Sequence, residues 1–297
     1  MRLSTAVSCV FLAVFSLLNS AHAIVFFSQG NDYNLTNPGG SLPWDNVVQI
    51  RSSTGPTGSG VYLGNGYVLT AGHVGPVDNV RIGSTDFALD PAAPISIGTS
   101  DMKLVHLASD PGLGSVRLNT STLVDTSSSY GSAYLVGYGV GRVPGSLLNT
   151  SPVTWGDVNT VAKRWGTNTI DGSMNNITVG GFTSNLLFTQ FNTDVGDTEA
   201  ALTLYDSGSA LFRYTGSEWM LVGLGVYVEG NGSSAASTQG DSANSEDNYF
   251  IRISSYANAP DQIGAVLVPE PCSWHLLLGG LLFLGLFAFR RSFHREA

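Results

Sequence analysis

Short apolar segments alternate with Gly, Ser, Asn and Asp punctuation along almost the whole chain; residues 47–50, 61–63, 67–69, 104–107, 133–136, 186–191 and 220–228 are examples. No long segment repeats its apolar positions every 3.6 residues, and β-branched and aromatic residues are abundant, so the pattern predicts strands rather than helices. Gly64-Asn65-Gly66, set between two apolar runs, is a hairpin signal. The expected fold is all-β, sandwich or barrel. Near the end, "YFIRISSYANAPDQI" offers Ser254 or Ser255 as the cap of a short helix, limited by Pro260. Residues 228–248, "VEGNGSSAASTQGDSANSEDN", read as a mobile polar loop. No repeat and no linker divides the chain.

The two ends break this pattern. Residues 1–23 carry Arg2, an apolar run and an Ala21-His22-Ala23 finish, the layout of a secretory signal peptide. The chain after cleavage would begin at Ile24. At the other end Pro269 and Pro271 bar a helix before Cys272, an uncharged apolar stretch covers 274–289, and Arg290, Arg291 and Arg295 follow. As a helix that stretch rises only about 24 Å, slightly short of a hydrocarbon core of about 30 Å, with a basic tail expected to stay cytoplasmic. The order of Pro-Glu-Pro, apolar helix and arginines resembles the PEP-CTERM sorting signal of Gram-negative bacteria. That resemblance implies export through the inner membrane, transient anchoring, and removal of residues 264–297 by a membrane enzyme. A signal peptidase would act at the other end, and the product is expected at the cell surface or outside the cell.

Residues 24–263 remain as one domain, large enough for a substantial core. Both cysteines, Cys9 and Cys272, fall in the ends, so the domain is expected to hold by packing without disulfides. A net charge of −9 with no basic patch speaks against nucleic acid. No metal site or cofactor is indicated, and a monomer is expected. The sequons at Asn34 and Asn176 are read as surface loops.

"TLYDSGSALF" places Asp206, Ser207, Gly208 and Ser209 between apolar flanks. This is either a tight turn or a loop that presents a serine. A serine hydroxyl needs a positioned base to become a nucleophile, and histidine suits that task at neutral pH. The domain has two, His73 and His106. His73 ends the strand "YVLTAGH" beside a glycine, whereas His106 lies inside the alternating strand "DMKLVHL" and reads as a packed or surface residue. Asp101 opens that strand and suits the acceptor that fixes an imidazole's tautomer.

These segments resemble, in order, landmarks of the trypsin-like serine proteases. "YVLTAGH" is similar to the histidine box, "DMKLVHL" to the aspartate strand and "YDSGSALF" to the serine loop. "LVGYGV" is similar to the strand opening the second barrel, "LVGLGVYV" to the strand lining the specificity pocket, and "YFIRISSY" to the lead-in to the C-terminal helix. The resemblance spans 24–263. It implies two antiparallel six-stranded β-barrels with the site in their cleft, His73 as general base, Asp101 orienting it, and Ser207 attacking a peptide carbonyl to form an acyl-enzyme.

Some positions depart from that pattern. Tyr205 stands where the family usually has glycine; its N–H and that of Ser207 would form the oxyanion hole. The residue at the expected base of the specificity pocket is Ala201, with Val226 and Val228 as candidate walls, which implies a small or apolar side chain before the cut. Cleavage before Ile24 would free an ammonium able to pair with Asp206. The alternative to an exported endopeptidase is a protease-fold surface or matrix binding protein that no longer cleaves. An esterase is disfavoured because no Gly-x-Ser-x-Gly elbow surrounds Ser207.

Overall fold

The computed structural model describes residues 24–26, 34–143, 155–191, 198–228, 246–257 and 263. The predicted signal peptide and the predicted sorting segment lie outside them.

The N-terminal half supplies β1 (Val25–Phe26), then β2 (Val47–Ser52), β3 (Gly55–Gly64), β4 (Tyr67–Ala71), β5 (Asn79–Ile82), β6 (Thr85–Ala88), β7 (Ile95–Ser96) and β8 (Met102–His106). Strands β2 to β8 form one antiparallel sheet in the order β6-β5-β2-β3-β4-β8-β7. The sheet curls back on itself. Leu89 bridges Leu107, Asp90 N–H donates to the His106 carbonyl, and Ala108 N–H donates to that of Ala88, which joins the end of β6 to β8. The β3–β4 hairpin turns on Asn65 and Gly66, both at positive φ (51° and 80°), the two-residue turn whose twist suits paired strands.

The second half supplies β9 (Arg117–Leu118), helix α1 (Thr122–Thr126), β10 (Ala133–Gly137), β11 (Arg164–Asn168), β12 (Gly172–Val179), β13 (Phe182–Phe191), β14 (Ala200–Ala201), β15 (Ala210–Tyr214), β16 (Trp219–Val228) and β17 (Glu246–Arg252). Seven of these order as β11-β10-β15-β16-β17-β13-β12, with β9 parallel to β16. Asn168 Nδ2 donates to the Gln190 carbonyl and draws β11 toward β13. The two sheets are the expected pair of barrels, with seven and eight strands in place of the six each that were expected.

Three apolar layers explain why many strands are apolar on both faces. Val48, Ile50, Tyr62, Val68, Val80 and Val105 fill the first barrel. Leu135, Leu187, Leu211, Val222 and Phe250 fill the second. Val47, Leu69, Leu104, Val136, Ala210, Phe212 and Leu224 meet in the layer between them. Alternate residues of one strand thus enter different cores, as Leu104 and Val105 do, and an uninterrupted apolar run results.

Some expectations need correction. Asn34 is not a surface loop residue: it is 2% exposed, and its amide donates to the carbonyls of Ile24 (2.6 Å) and Trp165 (2.8 Å). The loop expected at 228–248 is shorter, because Val228 ends β16 and residues 246–248 begin β17; residues 229–245 lie outside the described residues. The segment after β17 makes a 3₁₀ turn at Ile253–Ser255, within which Ser254 Oγ donates to Asp125 Oδ2 and Ser255 Oγ accepts from Arg252 Nε. Residues 258–262 lie outside the described residues, and Ile263 is helical and buried.

Candidate active site

His73 follows β4 and Asp101 precedes β8, and these two strands pair side by side. The carboxylate grips the histidine twice. Asp101 Oδ1 accepts from the His73 backbone N–H at 2.8 Å, and Oδ2 lies 2.6 Å from His73 Nδ1. On the ring's far side Nε2 lies 2.8 Å from Ser207 Oγ. An acceptor on Nδ1 keeps the proton there and leaves Nε2 free to take one from a hydroxyl. Gly72 permits the approach, since a Cβ there would sit 2.9 Å from Asp101 Oδ1. Lys103 adds a support that the sequence alone did not reveal. Its Nζ donates to the carbonyls of Gly72 and Val74, the two residues flanking His73. Ser184 Oγ, from β13, accepts from Asp101 N–H at 3.1 Å and is a second unforeseen contact.

Ser207 stands on two consecutive turns. Asp206 N–H bonds to Thr203 O (3.0 Å) and Ser209 N–H to Asp206 O (2.7 Å). Tyr205 and Gly208 occupy the third positions at φ 74° and 88°, where such turns favour glycine. At Gly208 the glycine is obligatory, because a Cβ would collide with the Ser59 carbonyl and Thr70 Oγ1. At Tyr205 a side chain is tolerated. Among the described residues neither Tyr205 N–H nor Ser207 N–H has an acceptor. Gly208 N–H donates to Gly225 O and Gly225 N–H to Ser209 O, which stitches the loop to β16.

Asp206 is fully buried beneath this loop, and Oδ2 accepts from Thr203 N–H and Oγ1. A Cβ on Gly137 or Gly139 would strike its carboxylate, which is why the Gly-Tyr-Gly segment carries two glycines. Burial pushes the Asp206 pKa up to about 7, and desolvation brings buried Arg164 down to about 8 despite their mutual attraction. Ile24 and Asp206 form no contact in the uncut chain. Ile24 is buried against Gly166 with its carbonyl held by Asn34, while the Asp206 carboxylate is held by Thr203.

A cavity of about 430 Å³ opens beside His73 and Asp101, walled by Met174, Ile177, Val179, Phe182 and Leu186 of the β12–β13 hairpin and by Val226, Tyr227 and Tyr249. The three proposed pocket residues therefore separate. Val226 faces this apolar groove, whereas buried Ala201 packs with Phe191 and Val228. His106 is remote from the chemistry: its Nδ1 meets Asp90 (3.2 Å), its Nε2 the Asn65 carbonyl (3.3 Å), and Tyr67 tilts against its ring.

Two barrels with an Asp–His–Ser relay at their junction define a serine peptidase of the chymotrypsin fold. Residues 34–258 match the family model described as Trypsin, and the chain belongs to that family. A serine-to-alanine mutant of Rv3671c from M. tuberculosis has a similar structure in its inactive form (TM-score 0.50, 13% identity, 80% of this chain and 95% of that one). The active form of the Rv3671c protease is similar too (0.50, 14%, 80% and 87%). Neuropsin, a serine protease of mouse brain, superposes with TM-score 0.47 at 18% identity over 75% of this chain and 94% of its own. No curated protein matches the sequence.

Proposed function

We propose that this trypsin-like serine protease is an active, exported endopeptidase. Ser207 Oγ attacks the scissile carbonyl while its proton passes to His73 Nε2. Asp101 holds the resulting imidazolium through Nδ1–H, and the oxyanion is received by the N–H groups of Tyr205 and Ser207. Collapse moves the proton from His73 to the leaving amine and leaves an acyl-enzyme. A water, deprotonated by the same imidazole, then hydrolyses the ester. The observation carrying this reading is the unbroken relay, 2.6 Å from Asp101 to Nδ1 and 2.8 Å from Nε2 to Ser207 Oγ.

The apolar walls of the groove beside His73 support a polypeptide substrate with apolar side chains near the cut. Residues 1–23 and 264–297 support export with signal cleavage and PEP-CTERM-type processing. Cleavage before Ile24 would create an ammonium as a partner for Asp206.

A fluorophosphonate probe tests the reading. It is expected to modify the wild-type chain and to leave Ser207→Ala unmodified. Folded wild type that resists the probe would make the chain a non-cleaving binding protein instead.

A further inference from the structure

We propose that Ser59 is a positioning residue that holds the oxyanion turn in its working geometry and makes a tyrosine usable at position 205. This rests on the enzymatic reading above. Ser59 is a fully buried polar residue in β3, between two glycines, and reaches from the first barrel into the second. Its hydroxyl donates to Tyr205 O (2.9 Å) and accepts from Tyr138 N–H (2.8 Å). Its own N–H donates to Ser207 O (2.8 Å), and its carbonyl accepts from Thr70 Oγ1 (2.7 Å).

Peptide planarity makes these contacts consequential, because pinning a carbonyl also fixes the N–H on the same plane. The Leu204 carbonyl is held by Val140 N–H, and the Asp206 carbonyl by Ser209 N–H. Those two planes carry the free N–H groups of Tyr205 and Ser207. Between them lies the 205–206 plane, whose N–H meets Thr203 O and whose carbonyl meets Ser59 Oγ. Positive φ at Tyr205 strains a residue with a Cβ, and rotation to negative φ would relieve it. That rotation must swing the flanking planes and turn a donor away from the oxyanion. The Ser59 hydroxyl resists it.

The test measures kcat and KM on a peptide amide, and the affinity of a peptidyl trifluoromethyl ketone whose tetrahedral oxyanion fills the hole. Wild type, Ser59→Ala, Tyr205→Gly and the double variant are compared, with melting curves for each. In Ser59→Ala, kcat is expected to fall about 10-fold, a fraction of the roughly 100- to 1,000-fold lost with an oxyanion donor itself. KM should stay within about 2-fold, and ketone affinity should fall in step with kcat. Tyr205→Gly should restore kcat in the double variant, because glycine holds positive φ without help. Ser59→Gly, which keeps the N–H bond to Ser207, should behave like Ser59→Ala. Unchanged kcat in both Ser59 variants would overturn the proposal. So would a double variant that melts like the wild type yet stays slow. A wild type without turnover would overturn the enzymatic reading, and this proposal with it.

Discussion

Tyr205 occupies backbone space that glycine holds without cost, and the structure keeps it there because the surrounding carbonyls are already committed. Tyr205→Gly should therefore stabilise the chain by up to about 1 kcal/mol, seen as a higher melting temperature with turnover retained. Asp206 gives a second prediction at this scale. Its folded pKa, about 7, lies above the ordinary carboxylate value. Below pH of about 4 the folded and unfolded chains both hold the proton. Between that point and pH 7 only the unfolded chain releases it, so stability falls as pH rises through the window and levels off above it. Denaturation of the uncut chain against pH should show this loss, and Asp206→Asn should abolish it. His73, Asp101 and Ser207 were legible as residues because each sits in a distinctive local string. Ser59, Lys103 and Ser184 were not, because their importance comes from carbonyls and amides supplied by distant segments.

Among the elements, the β12–β13 hairpin stands out. Its sequence, "GSMNNITV" turning into "FTSNLLFTQF", carries polar residues on one strand and gave no sign of function. Paired antiparallel, with a one-residue register shift between Met174 and Ile177, the two strands put Met174, Ile177, Val179 and Leu186 along the cavity beside His73, while Thr183 N–H bonds Thr99 O and fastens the tip to the aspartate corner. If these side chains receive the substrate, Ile177→Asp and Val179→Asp should each raise KM on an apolar peptide about 10-fold with kcat unchanged. That is about 1.4 kcal/mol, near the lower end of what burying one aliphatic side chain provides. Steady-state kinetics on one peptide series decides it.

Across the whole molecule, the chemistry depends on a seam where two barrels touch through backbone. Ser59 N–H meets Ser207 O, and Gly208 passes the Ser59 carbonyl too closely for any side chain. Gly208→Ala should force that seam apart, lowering stability by about 3 kcal/mol or more through overpacking and positive-φ strain, and abolishing fluorophosphonate labelling. Denaturant titration and labelling read the two effects separately. Local composition sufficed for strands, hairpin and an all-β class, because apolar alternation and turn glycines are encoded within a few neighbouring residues; the relay residues came from several short strings that resemble, in order, those of a protease family. The meeting of residues 73, 101 and 207, the tolerance of a tyrosine in the nucleophile turn, and the apolar groove were decided only in three dimensions. They depend on distances between segments from 28 to 146 positions apart, and only barrel closure and strand register set those.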